Sequence, residues 1–248
     1  MISILLFACS GQNFVQGTVQ DIWKNPIEGA QVYMKEVEKP TSTNTSGGFS
    51  FVAKQDTMRF RSTKEGYIPA VNQVEYKAGE PLSVQISMYP TVEKNGFWLI
   101  DQEGYTPLAP SPIKKKESKD QKLLGLFDVG TVKTSKPKPS FVFRTTLRKE
   151  QLQQLDLEVH SLTFINKTTF NALTGPQEVD IDLWVPDAQV EFSIKDLGIE
   201  DHFLVEFSEP LSQGIYAFHS HDIFDPKSDQ GSSNIPKELL TSYPFEIK

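Results

Sequence analysis

The chain has 248 residues, a formal net charge of −7 and one cysteine. This length admits two domains of the commonest size, about 100–150 residues each, and with 38% hydrophobic and 11% aromatic residues the composition is globular and lacks the signature of disorder. The acidic balance excludes a general attraction to nucleic-acid phosphates, so no nucleic-acid partner is expected. The lone cysteine excludes an internal disulfide, and a chain of this size is held by packing without one.

In residues 1–13 an apolar run from Ile2 to Ala8 leads into Cys9 and then into polar Ser10, Gly11, Gln12 and Asn13. The order Leu6-Phe7-Ala8-Cys9 resembles a bacterial lipobox, in which the leader is removed and the cysteine thiol becomes acylated. The resemblance implies a lipoprotein of the cell envelope, attached to the membrane through Cys9, with the polar residues as a tether. Serine after the cysteine is similar to the outer-membrane sorting cue. Two or more acyl chains, at about 0.8 kcal/mol per buried methylene, suffice for stable anchoring. A secretory leader usually opens with basic residues and runs about 15–30 positions; here eight non-basic residues precede Cys9, so the start of such a leader would lie upstream of Met1. The competing reading is an apolar first strand with an inert, buried thiol.

Residues 14–92 form the first expected domain. Short runs alternating with period two, separated by turn residues, point to an all-β sandwich. Phe14 to Val19 reads as the first strand, Lys24 to Gly29 as a turn, Ala30 to Met34 as the second strand and Thr41 to Thr45 as a third. Ser46-Gly47-Gly48 is a tight turn into Phe49 to Ala53. Met58 to Ser62 places Met58, Phe60 and Ser62 on one face and both arginines on the other. After a turn at Lys64 to Tyr67, Leu82 to Met88 closes the domain. The series Gly17-x-Val19, Pro26-Ile27-x-Gly29-Ala30-x-Val32, Gly47-Gly48-Phe49 and Lys64-x-Gly66-Tyr67 resembles the carboxypeptidase regulatory-like domain, a prealbumin-like β-sandwich. That resemblance implies an accessory or structural module and supplies no catalytic residues.

Residues 93–248 form the second expected domain, with a Lys/Pro-rich loop at 107–140 that contains Lys114, Lys115, Lys116, Lys119 and Lys122. Such a cluster reads as a solvated loop, or as a contact for anionic headgroups or an acidic polymer at about 1 kcal/mol per lysine. Leu147 to Leu155 has helical spacing. Strands are expected at Leu157 to Phe164, Val179 to Val185, Gln189 to Ile194, Phe203 to Phe207, Gly214 to Phe218 and, as an edge strand tolerant of Pro244, Tyr243 to Ile247. The fold class is therefore all-β: a prealbumin-like sandwich followed by a second, mostly antiparallel sandwich-like domain.

Candidate chemistry is sparse. In His219-Ser220-His221-Asp222 a continuous strand would place His219 and His221 on one side as two metal ligands, with His160, His202, Glu200 and Asp201 as further donors. A polar strand end explains the same residues. Asp180 and Asp182, on one strand face and roughly 7 Å apart, do not flank a scissile bond as a glycosidase pair must, and no calcium loop is present. Trp23, Trp98 and Trp184 are candidates for stacking on sugar, Trp184 being the one most expected to face outward. The sequence has no GxxxxGK[ST], GxSxG or HExxH, so no catalytic residue and no cofactor are assigned. The expected function is a non-catalytic binding or structural module, its partners the membrane and an envelope protein or glycan. The alternatives are a metal-dependent enzyme using His219 and His221, and a carbohydrate-binding module.

Overall fold

The computed structural model describes residues 14–35, 37–52, 57–77, 82–118, 121–172, 175–224 and 236–248. Cys9 and the expected tether lie outside the described residues. The chain divides into two compact units, Met1–Thr91 and Val92–Lys248, and both are built almost wholly of strands.

The first unit contains β1 (Phe14–Asp21), β2 (Gln31–Met34), β3 (Thr41–Ser42), β4 (Gly48–Val52), β5 (Thr57–Thr63), β6 (Ala70–Glu75) and β7 (Leu82–Met88). They form a three-stranded sheet ordered β4-β1-β7 and a four-stranded sheet ordered β3-β2-β5-β6. Strand β1 runs antiparallel to β4 and parallel to β7. Alternation puts Val15 and Val19 of β1, Phe49 and Phe51 of β4, Met58 and Phe60 of β5 and Val84, Ile86 and Met88 of β7 into one apolar core. Each fully buried side chain of this size contributes roughly 1.5–3 kcal/mol.

Two details explain the sequence pattern. Gly17 breaks the apolar alternation of β1 because a Cβ there would stand 2.3 Å from the Phe49 ring and 2.6 Å from the Val84 carbonyl oxygen. Thr43, only 4% exposed, fastens one turn through its side chain. Its hydroxyl donates to the Ile27 carbonyl at 2.6 Å and accepts from the Ala30 amide at 2.8 Å, so the Pro26 to Ala30 turn is held from inside.

The second unit contains β8 (Gly96–Ile100), β9 (Tyr105–Pro107), β10 (Ile113–Ser118), β11 (Gln121–Leu126), β12 (Lys133–Thr134), β13 (Ser140–Arg144), the helix α1 (Lys149–Gln154), β14 (Leu157–Ala172), β15 (Gly175–Gln189), β16 (Phe192–Asp196), β17 (His202–Phe207), β18 (Gly214–Ser220) and β19 (Tyr243–Ile247), with one-turn 3-10 helices at His221–Phe224 and Lys237–Leu239. A five-stranded sheet, β16-β17-β13-β8-β9, faces part of a seven-stranded sheet, β10-β11-β15-β14-β18-β19-β12. Between them lies an aromatic-rich core that includes Phe97, Phe141, Phe143, Phe203, Phe218 and Phe245, closed at one end by Leu152 of α1.

The segment expected as a solvated loop instead carries the β10–β11 hairpin, in which Lys114 pairs with Gly125 and Lys116 with Leu123. Lys114, Lys115 and Lys116 are exposed on the edge strand of the larger sheet, where charge opposes pairing with another chain. Lys119 lies outside the described residues. The expected strand at Gln189 to Ile194 is displaced, since β15 ends at Gln189 and β16 begins at Phe192. Strand β19 is not at the edge: it lies between β18 and the two-residue β12, and Pro244 escapes conflict because β12 pairs only with Glu246 and Ile247.

The longest element is the β14–β15 hairpin. Sixteen residues of β14 extend about 50 Å at strand rise, yet β18 pairs only with Leu157 to Leu162. Beyond that point Phe170, Ile181 and Leu183, with Leu123 of β11, make a small core of their own.

The buried hydroxyls of the first unit give a test of this account. Thr43→Val removes a donor and an acceptor and orphans two backbone groups, so the unit loses about 1–3 kcal/mol. Ser62 is also buried, but its Oγ has no hydrogen-bond partner among the described residues, so Ser62→Ala leaves stability unchanged or raised. Chemical denaturation of the two variants beside the parent checks both signs.

Candidate functional site

Leu157 and Val159 of β14 point into the aromatic core, which leaves Glu158 and His160 together on the opposite face of the sheet. In the neighbouring strand Tyr216 and Phe218 take the core side, so His219 emerges beside Ala217 on the same outer face as Glu158. The register sets His219 directly opposite Glu158, and on the other flank Gln189 of β15 opposite His160. A bulge follows at once, between His160 and Leu162.

The result is a cluster of Glu158, His160 and His219 whose ligand-type atoms all lie within 4.8 Å of one another. His160 Nδ1 is 2.9 Å from His219 Nε2 and 3.8 Å from Glu158 Oε2. His219 Nδ1 lies 3.0 Å from the Ser220 carbonyl oxygen. A carbonyl only accepts, so Nδ1 carries a proton and the Nε2 of neutral His219 turns its lone pair toward His160. Gln189 Nε2 donates to Glu158 Oε1 at 3.4 Å. The imidazoles of His160 and His219 are near-parallel with centroids 5.0 Å apart, and Phe224 meets the His219 ring edge-on at 4.7 Å. Glu158 and His219 are buried, whereas His160 is only partly covered.

The continuous strand from which the pairing of His219 with His221 is expected stops before His221. Strand β18 ends at Ser220, and His221 opens a 3-10 turn, so the two-residue rule no longer relates them. The side chain of His221 lies outside the described residues. His160 does join His219, across the strands, and Glu158 completes the group; only its spacing from His160, two residues along an alternating strand, hinted at it.

His202, Asp201 and Glu200 are not part of this cluster. Buried His202, on the other sheet, accepts from the Val92 amide through Nε2 at 3.1 Å and faces Asp201 Oδ1 through Nδ1 at 2.7 Å. Arg144 Nε reaches Asp201 Oδ2 at 3.0 Å, and its guanidinium also donates to the Val92 and Glu93 carbonyls. These groups fasten the backbone at the start of the second unit. Asp180 pairs with Lys167 at 3.6 Å, and Asp182 takes a left-handed φ of 50°, so the two aspartates do not sit on plain extended strand. Trp184 is covered rather than outward-facing: it packs on the Leu126, Leu162 and Ala217 cluster, with Phe164 at a centroid distance of 5.2 Å. Trp98 donates through Nε1 to the Lys94 carbonyl at 3.0 Å. A cleft of about 240 Å³ beside α1, lined by residues including Lys149, Gln153 and Asp156, is smaller than the usual ligand pocket.

Burial pushes the Asp201 carboxyl up, but hydrogen bonds from His202 and Arg144 and their charges outweigh it and hold it below the usual aspartate range. A depressed carboxylate contributes stability in full above its unfolded value of about 3.9 and loses it as pH falls through the folded value. Asp201→Asn should therefore lower the denaturation midpoint at neutral pH and reduce the loss of stability in the acid limb below about pH 4. Denaturant titrations between pH 3 and 7 read out both effects.

Comparison with known proteins identifies the first unit: residues 15–89 match the family described as the carboxypeptidase regulatory-like domain. Among solved structures, the major pilin subunit BcpA of Bacillus cereus aligns at 13% identity over 94% of this chain and 67% of the pilin, with a TM-score of 0.28. A variant of the same pilin aligns at 10% identity over 95% and 69%, with a TM-score of 0.29. No curated protein matches the chain.

Proposed function

We propose that this protein is a non-catalytic structural or binding module of a bacterial cell envelope, held at the membrane by an acylated Cys9. The observation that carries the non-catalytic reading is the fate of its buried polar groups. Asp21 accepts from the amides of Trp23 and Asn25, Thr43 holds the Pro26 to Ala30 turn, and His202 with Arg144 secures the Val92 segment. These groups hold backbone in place. The carboxypeptidase regulatory-like unit at residues 15–89 suits the same reading, because it consists of turns and core positions.

Support for the anchor comes from the order Leu6-Phe7-Ala8-Cys9 followed by polar residues. Among the described residues no helix is long and apolar enough to cross a membrane, and a lipid on Cys9 would supply attachment without one. Held on a surface, the two units would present strand edges and loops to an envelope protein or a glycan, with the exposed Lys114 to Lys116 edge available to anionic groups.

Metabolic labelling with an alkyne fatty acid, followed by membrane fractionation and terminal mass spectrometry, tests the anchor. Wild-type protein should be labelled and found in the membrane fraction, and Cys9→Ser should be unlabelled and released. An unmodified Cys9 in a soluble fraction overturns the proposal. Crosslinking in native cells then identifies the partner.

A further inference from the structure

We infer that Glu158, His160 and His219 form a binding site for one divalent transition-metal ion of the zinc class. The donor atoms are two imidazole nitrogens and one carboxylate oxygen, supplied by two adjacent strands and lying within 4.8 Å of one another. A tetrahedral ion with bonds of about 2.0–2.1 Å holds its ligand atoms about 3.3 Å apart. The 2.9 Å separation of His160 Nδ1 and His219 Nε2 and the 3.8 Å separation of His160 Nδ1 and Glu158 Oε2 bracket that value. Modest side-chain rotation accommodates the ion.

The outer contacts point the same way. The hydrogen bond from His219 Nδ1 to the Ser220 carbonyl at 3.0 Å fixes the tautomer that presents Nε2, the arrangement that supports a ligating histidine. Gln189 Nε2 holds Glu158 Oε1 at 3.4 Å, leaving Oε2 as the atom nearer His160. Phe224 packs on the His219 ring and limits its swing. When the ion enters, neutral His160 changes tautomer: the Nδ1 proton shared with His219 passes to solvent and one is taken up on Nε2, so Nδ1 is free to ligate and no net proton is lost.

The donor set selects the metal. Two imidazole nitrogens beside a single carboxylate do not suit calcium or magnesium, hard cations that take oxygen ligands, whereas imidazole suits Zn²⁺, Co²⁺, Ni²⁺ and Cu²⁺. The partly exposed His160 edge, with 17% of its side chain accessible, gives the ion a route in and leaves a fourth position for water. The bound ion would link β14 to β18 beside the bulge. This inference is independent of how the protein is attached to a membrane.

The test uses the whole chain, stripped with chelator and titrated with Zn²⁺ by calorimetry and with Co²⁺ by visible spectroscopy. One equivalent should bind, Co²⁺ should give a four-coordinate spectrum, and His160→Gln and Glu158→Gln should each weaken Zn²⁺ binding by about tenfold or more. His219 is buried, so its replacement risks the fold. His160 is near the surface, and His160→Gln, checked by circular dichroism, keeps the test decisive. No stoichiometric uptake, or undiminished uptake in both folded variants, overturns the inference and leaves the two imidazoles as a hydrogen-bonded pair.

Discussion

The second unit depends on one aromatic stack. Phe97 of β8 lies between Phe143 of β13 and Phe218 of β18, with both centroid distances 4.2 Å and ring planes within 8° of parallel. Phe143 is its neighbour in the smaller sheet, but Phe218 comes from the larger one, so the stack joins the two layers. Face-to-back aromatic contact adds roughly 0.5–1.5 kcal/mol per pair to the area buried. Its larger effect is on register. Because side chains alternate, seating Phe218 in the core places Ala217 and His219 on the opposite face, and a slip of one residue would drive an imidazole into the phenylalanine layer. The position of the histidine cluster is thus a consequence of apolar packing on the other side of the sheet.

The same constraint explains where the larger sheet changes character. While β14 is flanked by β15 and β18, it buries Leu157, Val159 and Leu162. After Leu162 it is paired with β15 alone among the described residues, and its sequence turns to Asn166, Lys167, Thr168 and Thr169, interrupted by Phe170. A two-stranded ribbon is marginal in water without an apolar face. Here the face is supplied by Phe170, Ile181 and Leu183 against Leu123, so the β10–β11 hairpin supports the extension. Gly125 permits that approach, since a Cβ there would stand 2.6 Å from the Trp184 carbonyl oxygen. The lysines of β10 then face solvent on the outer edge, where a bare strand would otherwise invite another chain.

Much of this was legible in the residues. Strict alternation in Met58 to Ser62 and Leu82 to Met88 marked strands and their inward faces, and helical spacing around Leu152 marked α1. Prolines and lysines between Pro107 and Lys122 hid a hairpin, because edge strands carry the same charged residues as loops and the partner run Leu123 to Leu126 is short. Pairing His219 with His221 assumed that the strand continued. It ends where the Ser220 hydroxyl donates to the Leu239 carbonyl at 3.1 Å, a partner 19 residues away that no local pattern announces. Glu158 was overlooked for a related reason: residues opposite each other across strands are set by register, and register is a property of the whole sheet.

The contrast among buried polar groups is what separates this cluster from the rest of the molecule. Ser111 donates to the Asp128 carbonyl, Thr134 and Thr145 accept from nearby amides, and Ser220 and Ser242 donate to carbonyls. Each closes a turn or a strand end, as most side-chain hydrogen bonds in proteins do. At Glu158, His160 and His219 the side chains turn toward one another instead, on two strands already paired with each other in the sheet. Desolvating a carboxylate and an imidazole for a fold that needs neither is unfavourable, since apolar side chains of similar volume would serve the sheet at least as well. Their presence has a physical reason if the group is a set of ligands, because an ion held by all three would offset that desolvation and tie β14 to β18 on the outer face, opposite the aromatic core.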